Sequence, residues 1–146
     1  MFDVNEIGLS GRPTRLHHLG WAVPSLDAGS GVFQEVLGLP HQLDEVLPGV
    51  ELRFFEAGEC LIELLASTGT NLSVEALVAS QGGGLHHLAF AVDDVDKALQ
   101  AAARNGCTLI DQVKRPGSRR TEIGFVDPSW PGGILLEFVE DVAFSR

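Results

Sequence analysis

The feature that most constrains this chain is that it says one thing twice. Leu16-His17-His18-Leu19-Gly20-Trp21-Ala22-Val23 returns, class for class, as Leu85-His86-His87-Leu88-Ala89-Phe90-Ala91-Val92. The spacing from His18 to His87 is 69 residues. Each copy runs into an acidic or serine turn signal and then a helix-like segment. A unit of this size cannot bury its own apolar face and needs its neighbour, so the repeat comes before any local assignment. With 146 residues the chain has room for one domain built of two such modules.

The modules read in parallel. Residues 1–15 are polar and broken by glycine and proline, an N-terminal arm. The first module occupies residues 16–70, a linking helix and glycine-rich joint residues 71–84, and the second module residues 85–146. Leu16–Val23 reads as a strand whose alternation puts Leu16, His18, Gly20 and Ala22 on one face and His17, Leu19, Trp21 and Val23 on the other. Pro24-Ser25 opens a helical stretch (Leu26, Gly29, Phe33, Val36, Leu37) that Gly38 and Pro40 end. Glu51–Glu56 and Cys60–Ala66 are strands joined at Ala57-Gly58, with room around Gln42–Leu47 for a further one. Asn71–Ser80 is a short helix, and Gln81-Gly82-Gly83-Gly84 is the joint. The pattern then restarts. Leu85–Val92 is a strand, and Val95, Ala98, Leu99 and Ala102 stripe a helix that stops at Asn105-Gly106. Thr108–Val113, Glu122–Val126 and Ile134–Val139 are strands. The expected class is α+β, with tandem βαβββ modules pairing into a cupped mixed sheet.

Within that frame four side chains stand out. His18 and His87 share their faces with small residues, which leaves space above the sheet. His17 and His86 share theirs with bulky ones and read as packing residues. Glu63 in Leu-Ile-Glu-Leu-Leu and Glu137 in Leu-Leu-Glu-Phe-Val interrupt apolar strands at matching places. A buried carboxylate is costly unless paired, hydrogen-bonded or bound to a metal. A single such glutamate is equally served by an edge strand facing water. One His and one Glu per module in the same context shift the balance, because pairing of the modules could bring all four to one centre. Two imidazoles and two carboxylates suit a divalent ion in an octahedral site with two positions open, and cobalt, manganese, nickel, zinc and iron all accept such ligands. An ion of this kind can take two adjacent substrate oxygens as a chelate and stabilise an enolate as it forms.

Charge narrows the partners. Twenty acidic against ten basic residues give a formal net charge of −10, which argues against nucleic acid and anionic membranes as partners. Cys60 and Cys107 are too few for a disulfide framework, and no apolar run approaches the roughly 18 residues of a spanning helix. A soluble, unprocessed, cytoplasmic protein is the expectation. The basic residues concentrate in Lys114–Arg120, which holds four of the ten. That loop is a solvated hairpin tip or a phosphate contact.

Taken in order, Leu-His-His-Leu-Gly, Val36-Leu37-Gly38-Leu39, Leu61 to Leu65, Gly84 to Phe90 and Gly132 to Glu137 resemble the vicinal oxygen chelate superfamily, the glyoxalase/bleomycin-resistance fold, and within it the methylmalonyl-CoA epimerases. The resemblance spans about Leu16 to Glu140. It implies His18, Glu63, His87 and Glu137 as metal ligands, Glu137 also as a catalytic acid/base, an acyl-CoA thioester as substrate, and a homodimer. The expected activity is metal-dependent epimerisation or isomerisation by removal of an α-proton beside a thioester carbonyl. The alternatives are a glyoxalase I-type lyase acting on a glutathione hemithioacetal and a metal-free ligand-sequestering protein of the same fold. In the match, Leu52 stands where some epimerases carry a second glutamate. Glu51 lies one residue earlier, on the opposite face of a regular strand unless a bulge turns it inward. Phe125-Val126-Asp127-Pro128-Ser129-Trp130-Pro131 replaces a His-Pro-Lys run, which puts the acyl-CoA contact on other groups.

Overall fold

The structure is a computed structural model that describes residues 13–141; of the expected arm, only residues 13–15 are among them. In chain order the elements are β1 (Arg15–Ala22), α1 (Leu26–Gly31, continued by a π turn over Val32–Val36), β2 (His41–Leu47), β3 (Val50–Ala57), β4 (Cys60–Ser67), α2 (Leu72–Gln81), β5 (Gly84–Ala91), α3 (Val95–Arg104), β6 (Arg115–Pro116), a 3₁₀ turn (Ser118–Arg120), β7 (Glu122–Val126) and β8 (Leu135–Glu140). None of these helices is long and apolar enough to cross a membrane. The described residues form two compact units, 18–87 and 13–17 with 88–141.

In the unit of residues 18–87 the strand order is β2-β3-β4-β1. β1 runs parallel to β4, placing His18 beside Leu61 and Gly20 beside Glu63. β3 is antiparallel to both β2 and β4. A parallel neighbour needs a crossover, and α1 with the β2–β3 hairpin supplies it. One face of this sheet packs Ala22, Leu52, Phe54, Leu61 and Leu65 with Val74 of α2. The other packs Val23, Phe55, Leu64 and Ala66 under Leu26 and Phe33 of α1. α1 starts where Ser25 accepts a hydrogen bond from the Ala28 amide. Its second half departs from the expected α-helix: the Leu37 amide reaches back to the Val32 carbonyl, a five-residue spacing. Gly29 and Gly31 weaken the α-helical half that precedes this turn. Arg53 ties the hairpin to α1, donating to both Asp44 carboxylate oxygens at 2.9 Å, to Ser30 at 2.9 Å and to Asp27 at 3.3 Å. These bonds hold the Asp44 carboxyl at about 2, below its usual value.

In the other unit the order is β6-β7-β8-β5, with β7 antiparallel to β6 and β8. The expected stripe of α3 is the packed one: Val95, Ala98, Leu99 and Ala102 close over Val92 and Val126. Asp94 caps that helix by accepting from the Lys97 amide. The strand expected over Thr108–Val113 does not form. Leu109 makes a single bridge to Val126, and the Asp111 carboxylate takes the Phe125 amide that a strand carbonyl would otherwise accept. Leu109 packs on the core while Ile110 and Val113 are exposed, so only the start of the segment has a face to bury. Strand order in the two units is the same when each is read from its hairpin inward. The α+β class and the tandem βαβββ build are therefore those read from the repeat.

Candidate metal centre

Strand parity places the first candidates. On β1, His18, Gly20 and Ala22 share the face that β4 continues with Leu61, Glu63 and Leu65 and β3 with Leu52 and Phe54. His87 enters the same region from β5, its ring seated directly on Gly20. A β-carbon at position 20 would collide with His87 Cε1, Nδ1 and Nε2 together. The space left by small residues is thus occupied by an imidazole.

Three donor atoms meet there. His18 Nε2 and His87 Nε2 are 3.0 Å apart, and Glu63 Oε1 lies 3.2 Å from His87 Nε2 and 3.6 Å from His18 Nε2. All three side chains are buried, at 5 % exposure or less. The Phe54 ring stands edge-on to His18 at 6.4 Å and, with Leu52, walls this side with hydrocarbon. A cation held by nitrogen and oxygen ligands at about 2.1 Å puts ligands at right angles about 3.0 Å apart and tetrahedral ones about 3.4 Å apart. The observed separations fall on that scale. An anionic oxygen and two imidazole nitrogens this close are relieved by a shared proton or a cation. The donor set therefore fits a divalent ion. Glu137, the remaining sequence candidate, is buried on β8 of the other unit, opposite Phe125 of β7.

Glu51 does not join this face. The β3–β4 register runs without a shift from Val50 to Ala57, so no bulge turns it inward; Glu51 is exposed and Leu52 is 2 % exposed. Three of the four basic side chains of the loop meet carboxylates. Lys114 pairs with Glu140 at 3.4 Å, Arg115 with Asp111 at 2.9 Å and Arg119 with Asp141 at 3.4 Å. Arg119 and Arg120 both adopt positive φ, 55° and 58°, conformations that cost non-glycine residues roughly 1–2 kcal/mol each. Trp130 donates its indole N–H to the Ile134 carbonyl of its own loop at 3.0 Å.

The two histidines assigned to packing are buried or half-buried and also have polar partners. His17, 2 % exposed, donates from Nε2 to Asp141 Oδ2 at 2.6 Å within its unit. His86 is half-buried, with Nδ1 2.8 Å from His87 Nδ1 and Nε2 2.8 Å from Ser73 Oγ. Parity predicts where a β-carbon goes and not where a ring nitrogen ends. β5 also opens on Gly84 at φ 137°, preceded by Gly83 at φ 126°, where a regular pleat is not enforced. The adjacent pair of histidines was the only signal in the sequence.

Residues 17–125 match the family model described as glyoxalase/bleomycin resistance protein/dioxygenase superfamily. A Bacillus subtilis relative, the uncharacterized protein YqjC, is 34 % identical over 128 residues, 86 % of this chain and 91 % of its own length. The mitochondrial methylmalonyl-CoA epimerase of Mus musculus is 30 % identical over 128 residues, covering 84 % of this chain and 71 % of the relative. Among solved structures, a variant of Streptomyces coelicolor methylmalonyl-CoA epimerase in complex with 2-nitronate-propionyl-CoA superposes with a TM-score of 0.85. It is 29 % identical, with 92 % of this chain and 99 % of that one covered.

Proposed function

The chain belongs to the glyoxalase/bleomycin resistance protein/dioxygenase superfamily, and from that premise we propose that it is a divalent-metal-dependent isomerase acting on an acyl-CoA thioester of the methylmalonyl-CoA kind. The observation that carries the reading is the convergence of His18 Nε2, His87 Nε2 and Glu63 Oε1 within 3.6 Å on a buried face. Glu137 is proposed as the fourth ligand, on the strength of its matched place in the repeat and its burial. The epimerases among the relatives and solved structures support the substrate class. A cytoplasmic homodimer completes the reading.

A bound divalent cation would supply Lewis-acid stabilisation to oxygen atoms that gain charge as the α-carbon loses its proton. The protein's own contribution is in the residues around it. His18, Glu63 and His87 fix the position at which that charge develops, and burial makes each polar contact stronger than in water. Leu52 and Phe54 exclude water from one wall. Glu137 takes the α-proton as general base and the C–H electron pair moves toward the thioester oxygen; inversion then requires a second group to deliver a proton to the opposite face of the α-carbon. β3 offers no second carboxylate on this face, since Leu52 occupies the inward position. Exchange of the α-hydrogen, which needs only one proton-transfer group, is therefore the step to measure first.

Cobalt-loaded protein incubated with methylmalonyl-CoA in D₂O should incorporate deuterium at the α-carbon, and the stripped protein should not. No incorporation by protein carrying one cobalt per chain refutes the proposal. Turnover of a glutathione hemithioacetal without thioester exchange would replace it with lyase chemistry on the same ligand set.

A further inference from the structure

His87 can hold a cation through Nε2 only if its ring proton sits on Nδ1, and a neutral imidazole in isolation takes both tautomers. The hydrogen bonds around α2 remove that freedom one proton at a time. The backbone amide of Val74 donates to Asn71 Oδ1 at 3.2 Å, which identifies that atom as the oxygen of the side-chain amide. The same oxygen receives Ser73 Oγ at 3.1 Å, and because it can only accept, the single hydroxyl proton of Ser73 points to it. Ser73 Oγ then offers a lone pair to His86 Nε2, 2.8 Å away, so that nitrogen carries its ring's proton. His86 Nδ1 is left as an acceptor, and it faces His87 Nδ1 at 2.8 Å, so His87 Nδ1 is the donor. What remains on His87 is the bare Nε2, aimed at Glu63 Oε1 and His18 Nε2.

We infer that Asn71, Ser73 and His86 form a one-directional hydrogen-bond chain, anchored at the N-cap of α2, that sets His87 in its ligating tautomer. The inference rests on the metal reading of the site for its purpose, and on the hydrogen bonds among these side chains for its content. None of the three residues touches the proposed ion; they are positioning residues. Outer partners of ligating histidines more often are carboxylates or carbonyls, which accept whatever the histidine donates. Here the acceptor is another imidazole, whose polarity must itself be fixed. That gives Ser73, an exposed residue on a helix, a role that its exposure does not suggest.

The test uses the full chain labelled with ¹⁵N at histidine and stripped of metal. Long-range ¹H–¹⁵N correlation spectra report which nitrogen of each ring is protonated, and cobalt affinity is read separately by competition with a chelator. In the wild type His87 should appear as the Nδ1–H form and His86 as Nε2–H. His86→Leu should release His87 to a mixture of tautomers and lower cobalt affinity roughly 10- to 100-fold. Ser73→Ala, which removes only an exposed hydroxyl, should shift both readouts in the same direction by less. His86→Asn, which keeps an acceptor near the place of Nδ1, should restore the His87 tautomer and most of the affinity. An Nε2–H His87 in the wild type, or the same His87 tautomer in the wild type, Ser73→Ala and His86→Leu, overturns the chain. Failure of the metal reading shows separately, as a wild type that takes up no cobalt, while the tautomers still decide the chain.

Discussion

Gly20→Ala is the substitution by which the structure can be tested most sharply with one methyl group. The glycine φ is not in question; the issue is space. The new carbon would meet three atoms of the His87 ring at once, with Nε2 at 2.6 Å. Carbon contacts settle near 3.5 Å or more, so the ring must retreat by at least about 1 Å. That takes Nε2 from 3.2 Å to about 4 Å from Glu63 Oε1 and opens the 2.8 Å bond to His86, whereas metal ligands tolerate displacements of about 0.2 Å. Overfilling a packed site costs about 1–3 kcal/mol, which lowers a urea midpoint by on the order of 1 M. Cobalt affinity should fall more than about 100-fold, beyond the range seen when only an outer partner is lost. Urea unfolding and chelator competition on the purified variant measure both. A Gly20→Ala protein that binds cobalt within about threefold of the wild type refutes the placement of His87, because a ligand displaced this far cannot keep its affinity.

Gly31→Ala provides the opposite sign with the same chemistry. Gly31 has φ −54° and ψ −48°, is exposed, and has open space where a β-carbon would go, so urea unfolding should show a gain of about 0.5–1 kcal/mol. Asp44→Asn tests the hairpin anchor. The folded carboxyl sits at about 2 against 3.8 ordinarily, so its stabilisation is complete above about pH 4 and disappears as pH falls toward 2. With 43 % of the Asp44 side chain exposed, the deficit of the variant near pH 6 should not exceed about 1 kcal/mol. Thermal unfolding of both proteins across that range should show the gap closing in acid.

The repeat carried much of this molecule in plain view because burial filters residues at strand period. His18, Gly20 and Ala22 had to share a face, Glu63 had to interrupt an apolar one, and both are where alternation puts them. Glu51 likewise points outward, as its odd position demands. Three things lay outside that logic. The reach of an imidazole is long enough that His86 on one side of a strand touches His87 on the other, and no pattern of hydrophobicity encodes ring nitrogens. Residues 108–113 alternate as a strand does, yet pairing stops after the single Leu109–Val126 bridge, where Asp111 spends its side chain on the Phe125 amide. Composition left the basic loop as a solvated hairpin tip or a phosphate contact, and did not show that Lys114 and Arg119 pair with acidic residues distant in sequence, Glu140 and Asp141. Long-range pairing of this kind is visible only once the chain is folded.

The metal site proposed above consists of two imidazoles and two carboxylates around one divalent ion. X-ray absorption at the cobalt edge, on protein carrying one cobalt per chain, measures that ligand set directly. The account predicts about six nitrogen and oxygen neighbours near 2.1 Å, with the outer-shell scattering of two imidazoles, reduced to one in His87→Ala. A spectrum without imidazole scattering, or one with a sulfur neighbour from Cys60 or Cys107, would contradict it.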